Sequence, residues 1–163
     1  MNSALIVFCS IAFILNGTSV TVDAQTSASG GKQSAPAQVI AKSIEELVDR
    51  YFDSLNEPDD RLRRDLTKQV WAEKGKFGTP YGEVEGLDAI DALVAGVHKK
   101  FPNAIVRRTT KIDGFGIYLR WGFTLSNADG TPILSGVDFA IVENGKLQLV
   151  MGFFDFAPKI ESK

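Results

Sequence analysis

Apolar residues recur at helical intervals in two segments of the chain. The first segment carries them on one face, at Ile44, Leu47, Val48, Tyr51, Phe52 and Leu55. Ser43 and Glu46 stand in the spacing of a capping box, which predicts a helix of about three turns from Ser43. A second helix is predicted over 59–66, and a third begins after Gly86 and stops before Pro102. The apolar face of the third helix comprises Leu87, Ile90, Leu93, Val94, Val97 and Phe101.

From Ala104 onward the apolar period changes from helical to alternating, which is typical of strands. Strands are predicted over 104–112, 116–125, 133–142 and 146–154, after a brief extended segment over 70–77 and a turn over 79–82. Asp113-Gly114 and Asn144-Gly145 are hairpin signals, because these residues accept positive φ. Helices followed by an antiparallel meander indicate an α+β domain with the helices on one face of the sheet.

Residues 4–15 form a short apolar run near the N-terminus, ALIVFCSIAFIL. A run of about twelve residues is too short for a membrane-spanning helix, which needs roughly 20. Val22 and Ala24 suit cleavage after Ala24, so a signal peptide is predicted over 1–24. We therefore expect a secreted or periplasmic protein that does not contact the membrane after cleavage. An uncleaved N-terminal anchor is the alternative, since the first three residues contain no Lys or Arg.

The rest of the chain divides into a tether, one domain and a tail. Residues 25–38 (QTSASGGKQSAPAQ) lack large apolar groups, and a segment of this kind buries too little surface to order itself. A flexible tether is therefore predicted over 25–42. One domain is predicted over 43–158, because about 139 residues suffice for one core and not for two. Residues 159–163 are predicted to form a C-terminal tail.

Charge and thiol content exclude several classes of function. The formal net charge is −2, with both signs mixed along the chain, so nucleic acid is not expected as a partner. Cys9 is the only cysteine and lies within the predicted signal peptide. His98 is the only histidine, and no carboxylates cluster in a ligand pattern, so we expect neither a metal nor a cofactor.

Three stretches and the order of elements resemble the SnoaL-like branch of the nuclear transport factor 2-like (NTF2-like) superfamily. The stretches are YGEVEGLDAI over 81–90, GTPILSGVDF over 130–139, and NGKL at 144–147 leading into GFFD at 152–155. The resemblance implies a cone-shaped fold in which three N-terminal helices pack on a curved, mainly antiparallel sheet around an apolar pocket. It also implies a homodimer formed through the open face of the sheet. The group includes polyketide cyclases, ketosteroid isomerases and relatives of limonene epoxide hydrolase.

The resemblance also implies two candidate catalytic residues. In the isomerases a tyrosine on the first helix and a carboxylic acid on a late strand bind the enolate oxygen, and Tyr51 and Asp138 stand at the matching positions. Their base, an aspartate before a proline, does not carry over, because Thr79 precedes Pro80 here. Steroid isomerase activity is therefore not expected. The polyketide cyclases place an acid/base aspartate on the strand that Asp138 occupies.

Each candidate has a simpler interpretation as well. Asp138 is either a pocket residue, the partner of Arg107, Arg108 or Arg120, or an exposed carboxylate. Tyr51 is either its hydrogen-bond partner or a plain core residue. The candidate ligand-binding side chains are Phe77, Tyr81, His98, Trp121, Phe123 and Phe154. Aromatic residues at strand spacing are also common in cores, and a lone histidine on a helix is commonly half exposed.

Two functions remain open at this stage. The first is an enzyme of the isomerase, cyclase or lyase type, which acts by acid/base chemistry on an apolar, carbonyl-bearing small molecule. The second is a ligand-binding or dimeric interaction module without chemistry, which the missing base at Thr79 favours.

Overall fold

The computed structural model describes the backbone of residues 35–157 and the side chains of residues 42–157. The predicted signal peptide (1–24) and C-terminal tail (159–163) lie outside the described residues. The helices are α1 (Ala35–Asn56), α2 (Asp60–Val70) and α3 (Leu87–Lys100). The strands are β1 (Trp71–Thr79), β2 (Gly82–Glu85), β3 (Ile105–Arg108), β4 (Asp113–Phe115), β5 (Tyr118–Ser126), β6 (Pro132–Glu143) and β7 (Lys146–Phe156). Within the described residues, no helix combines the length and apolar character needed to cross a membrane.

Helix α1 begins earlier than the capping box predicts. It starts at Ala35 and not at Ser43, so the last part of the predicted tether (25–42) is helical from Ala35 onward. Ala is the strongest helix former, and Pro36 falls in the first turn, where its missing N–H costs no hydrogen bond. Ser43 therefore lies within the helix, and its spacing to Glu46 does not mark a helix start.

Helix α2 is fixed at both its start and its middle by polar contacts. The Asp59 side chain accepts hydrogen bonds from the backbone N–H groups of Arg61 and Leu62, at 3.0 and 2.9 Å, and so caps the helix. Arg63, only 2% exposed, pairs with Asp60 at 2.7 Å and with Asp91 of α3 at 2.8 Å. This buried pair joins α2 to α3, the helix that forms one wall of the cavity described below.

The strands form one curved, open sheet in the order β2-β1-β7-β6-β5-β3, with β4 also paired to β5. Strands β1 and β7 are parallel, and the other neighbours are antiparallel. The structure is thus the α+β arrangement that the sequence predicts, with helices on a mostly antiparallel sheet. Strand β2, which pairs with β1 across the predicted turn at 79–82, was not predicted.

The predicted first long strand (104–112) is wrong in its second half. Strand β3 ends at Arg108, and Asp113-Gly114 lies in β4 and not in a turn. The turn falls instead at Gly116, whose φ of 59° is in the left-handed region. Gly114 faces Leu119 of β5, where a Cβ would collide with the carbonyl of Tyr118. Gly114 therefore allows β4 and β5 to lie close together, and it does not mark a turn.

The two faces of the sheet differ in exposure. The helix-facing side carries the core, in which α1 packs on β5, β6 and β7 through Val48, Tyr51, Trp121, Ala140 and Val150, among others. The outer side carries exposed apolar side chains, including Val137 at 37% and Phe153 at 62% exposed. The dimer implied by the resemblance stays a prediction. A cavity lies on the helix-facing side of the sheet.

Candidate active site

A cavity of about 270 Å³ lies between the helices and the sheet. Its walls come from α1, α3, the β1–β2 hairpin and strands β3, β5, β6 and β7. The lining residues are Tyr51, Leu55, Phe77, Thr79, Tyr81, Leu93, Val94, Val97, Lys100, Phe101, Val106, Phe123, Leu125, Leu134, Asp138 and Phe154. The lining is mainly apolar, as in most small-molecule sites.

Asp138 reaches this cavity because of the alternation along β6. Gly136, Asp138 and Ala140 are buried on the helix side, while Val137 is exposed on the other. The Asp138 side chain is only 3% exposed. Its position on the sheet is directly between Trp121 of β5 and Gly152 of β7. The carboxyl is therefore held inside the domain, on a strand with strands on both sides.

Two donors hold one oxygen of this carboxyl. The Tyr51 hydroxyl and the Trp121 indole N–H both donate to Asp138 Oδ2, each at 3.1 Å. The predicted pairing of Tyr51 with Asp138 is thus present. Both donors are buried, at 1% exposure each, so α1 and β5 fix the orientation of the carboxyl from two sides.

The arginines considered as partners of Asp138 are engaged elsewhere or exposed. Arg120 pairs with Asp113 at 2.8 Å, and Arg108 lies 3.4 Å from Asp49. Arg107 is exposed on β3. Asp138 therefore takes part in none of the ion pairs within residues 42–157, and no paired positive charge offsets the cost of burying its carboxylate.

Burial consequently controls the ionisation of Asp138. It raises the pKa of the carboxyl from 3.8 to about 7, against the opposing effect of the hydrogen bonds from Tyr51 and Trp121. Burial, followed by the charge of Asp138, raises the pKa of Tyr51 well above 10.0, so the tyrosine remains a donor. A carboxyl with a pKa near 7 is present in both protonation states at neutral pH, which suits a general acid/base.

The second carboxyl oxygen, Oδ1, accepts neither of these two hydrogen bonds. Opposite it, Gly152 leaves a space: a Cβ at that position would lie 3.2 Å from Oδ1 and 3.1 Å from Phe154 Cε1. Asp138 and Phe154 both line the cavity, so the carboxyl borders the space that a ligand would occupy. When Asp138 is neutral, Oδ1 is the oxygen that carries the proton, since Oδ2 already receives two donors.

Four predicted ligand-binding residues line the cavity. Phe77, Tyr81, Phe123 and Phe154 are all wall residues. Their rings form contacts, with centroids 5.6 Å apart for Tyr81 and Phe154 and 5.9 Å for Phe123 and Phe154. The phenylalanine before Phe154 points to the outer face, as the alternation predicts.

Two predicted ligand-binding residues lie off the cavity. Trp121 is in the core behind Asp138 and contacts that carboxyl, so it positions the acid and does not form a wall. His98 does not line the cavity. Thr79 lines the cavity, but its hydroxyl accepts from Tyr81 N at 3.2 Å and lies 3.5 Å from the Gly82 carbonyl. This hydroxyl supports the hairpin turn.

Several lining residues were missed as site residues in the sequence. The apolar lining residues on α3 were recognised as one face of a helix. The apolar pattern does not show whether that face packs against the core or lines a cavity. Lys100 was missed, although it lies three residues beyond Val97, which is the spacing of neighbours on one helical face. No three His, Cys, Asp or Glu side chains within the described part of the chain are grouped to hold a metal ion.

Solved structures share this fold. A proposed isomerase of the SnoaL-like family from Agrobacterium tumefaciens str. C58 is 28% identical, with a TM-score of 0.66 over 71% of this chain and 99% of that one. A proposed SnoaL-like polyketide cyclase from Jannaschia sp. CCS1 is 20% identical, with a TM-score of 0.61 over 77% and 92%. A proposed ketosteroid isomerase from Kribbella flavida DSM 17836 is also 20% identical, with a TM-score of 0.55 over 75% and 84%. No protein-family model and no curated protein matches the sequence.

Proposed function

Because the chain is a SnoaL-like member of the NTF2-like superfamily, we propose that it is an acid/base catalyst of the isomerase or cyclase type. The substrate is an apolar small molecule that carries a carbonyl group. The observation that supports this proposal is Asp138, a carboxyl with a pKa near 7 at the wall of an apolar cavity, fixed by two buried donors.

The proposed chemistry uses one group for both proton transfers. Ionised Asp138 takes a proton from the carbon next to the substrate carbonyl. The electron pair of that C–H bond forms a carbon–carbon double bond to the carbonyl carbon, and the π electrons of the carbonyl move onto its oxygen, which gives an enolate. Asp138 is then the acid and returns the same proton. In an isomerisation it protonates a different carbon of the conjugated system. In a cyclisation the enolate carbon first attacks a second carbonyl, and the proton goes to the resulting alkoxide.

Tyr51 and Trp121 are positioning residues in this mechanism. Both donate to Oδ2, which leaves Oδ1 for the substrate proton. Their hydrogen bonds also keep the pKa of Asp138 from rising further. Without them the carboxyl would remain protonated at neutral pH and would not act as a base.

A non-catalytic ligand-binding module is the second candidate. The Thr79 hydroxyl, at the position of the base in the ketosteroid isomerases, supports the turn and is too weakly basic for proton removal. A mechanism that needs a second base is thus unsupported, whereas binding alone needs no base.

Hydrogen exchange at a ketone distinguishes the two candidates. The probe is 2-tetralone, an apolar bicyclic ketone, whose α-protons exchange with D₂O at a rate followed by proton NMR. We expect the wild type to accelerate exchange and Asp138→Asn to lower that acceleration by about 100-fold or more. Asp155→Asn, a change at an exposed carboxylate on the end of β7, is the matched control and should retain the rate. Full activity in Asp138→Asn would refute the catalytic proposal.

A further inference from the structure

The cavity wall carries two charged side chains, and only one has a role in the proposed chemistry. Of the sixteen lining residues, Asp138 and Lys100 are the charged ones. Asp138 is almost fully buried, whereas Lys100 is exposed. The two groups therefore mark the inner end of the cavity and its opening to solvent.

Lys100 lies at the cavity wall beside two apolar lining residues. It is the last residue of α3, next to Phe101 and one turn after Val97, and both of these residues line the cavity. Its Nζ lies 5.3 Å from the centroid of the Phe101 ring, within the range of a cation–π contact. The ammonium is thus placed beside an aromatic wall residue.

The ammonium has no carboxylate partner in the part of the chain with described side chains. The ion pairs of residues 42–157 do not include Lys100, and its two predecessors on α3 are His98 and Lys99. A neutral apolar ligand that fills the opening would remove water from this charge without replacing it, which is unfavourable. A ligand with an anionic group at its outer end would instead supply the missing partner.

We propose that Lys100 selects substrates that carry a carboxylate at the end opposite the reacting carbonyl. This inference rests on the proposed function, because it assumes that the carbonyl end is bound at Asp138. The substrate class is then a keto acid with an apolar body: the carbonyl lies at the buried carboxyl and the carboxylate at the mouth of the cavity.

Two aromatic probes that differ by one carboxylate test the proposal. They are 2-naphthol and 6-hydroxy-2-naphthoate, whose phenolic hydroxyl stands in for the enol at Asp138. Binding is followed by isothermal titration calorimetry at low and high salt. We expect the naphthoate to bind about tenfold more tightly than the naphthol at low salt, with the difference reduced at high salt because ions screen exposed charge pairs.

Two variants test whether Lys100 causes the difference in affinity between the two probes. Lys100→Met keeps the length and apolar stem of the side chain and should bring the two affinities to within about twofold. Lys99→Met, a change at the exposed neighbour that does not line the cavity, should preserve the tenfold preference. Equal affinities in the wild type, or an unchanged preference in Lys100→Met, would overturn the role of Lys100.

The outcomes separate this inference from the proposed function. If both probes bind and Asp138→Asn loses 2-tetralone exchange, but Lys100→Met has no effect, Lys100 is rejected and the catalytic proposal stands. If neither probe binds, the cavity is not a site for such ligands, and the role of Lys100 is overturned with it. If the naphthoate preference depends on Lys100 while Asp138→Asn retains full exchange activity, anion selection is supported and catalysis by Asp138 is refuted.

Discussion

Replacing Asp138 by Asn should change how the stability of the domain depends on pH. Asn has the same shape, and its side-chain oxygen can accept the hydrogen bonds that Tyr51 and Trp121 give to Oδ2. The variant differs from the wild type mainly in that its side chain cannot ionise. The comparison therefore isolates the cost of a buried carboxylate.

The size of the effect follows from the two pKa values of the carboxyl. Its pKa is 3.8 when unperturbed and about 7 in the folded chain. Between these values the native state binds more protons than the unfolded state, so stability falls as pH rises, by about 1.4 kcal/mol per pH unit. The contribution of protonated Asp138 is fully present below pH 3.8 and is lost by about pH 7. The whole change amounts to about 4 kcal/mol.

Urea unfolding at a series of pH values measures this change, with tryptophan fluorescence as the signal, since Trp71 and Trp121 are both buried. We expect the free energy of unfolding of Asp138→Asn, minus that of the wild type, to increase by about 3–4 kcal/mol between pH 4 and pH 8. Other titrating groups are common to both proteins and cancel in the difference. A constant difference between the two proteins across this pH range would refute the conclusion that the pKa of Asp138 is raised.

Three further substitutions test separate parts of the structure. Tyr51→Phe removes a hydrogen bond that lowers the pKa of Asp138, so the midpoint of 2-tetralone exchange against pH should move to higher pH; an unchanged midpoint would contradict this role. Gly152→Ala places a Cβ 3.2 Å from Asp138 Oδ1. This variant should lower the 2-tetralone exchange rate by about tenfold and the free energy of unfolding by about 1–3 kcal/mol. An unaltered exchange rate would show that Oδ1 is not the reacting oxygen. Arg63→Met leaves Asp91, 7% exposed, without its 2.8 Å partner and should reduce the free energy of unfolding in urea by about 3–5 kcal/mol. A loss below about 1 kcal/mol would show that the pair adds little to the stability of the domain.

Much of the fold could be predicted because its apolar periods are long and unambiguous. Helix α3 and strands β5, β6 and β7 follow the predicted segments closely. The break between β3 and β4 could not be predicted, since Thr109 and Thr110 are β-branched and favour a strand. They bind the backbone of Gly122 instead: Thr109 N donates to Gly122 O at 2.8 Å, and Gly122 N donates to Thr110 Oγ1 at 2.7 Å.

The candidate site could be predicted where a polar group stands among apolar residues, because such a group requires a hydrogen-bond partner. A carboxyl in an apolar strand and a tyrosine on an apolar helix face both require partners, and Asp138 and Tyr51 supply them to each other. The role of Trp121 could not be predicted, because it depends on strand register. The indole is beside Asp138 only because β5 and β6 pair residue 121 with residue 138. Lys100 was missed for a related reason, since its helix face becomes a cavity wall only once the sheet curves beneath it.

The central claim is that Asp138 can take and return a proton near neutral pH. Its carboxyl carbon can be followed by ¹³C NMR in protein labelled at the aspartate side chains, with the spectrum of Asp138→Asn assigning the resonance. We expect one aspartate to titrate with a midpoint near pH 7 and to be missing from the variant. A midpoint for Asp138 near pH 4, as in an exposed aspartate, would contradict the account, because the group would then be ionised throughout the neutral range and could not act as the acid.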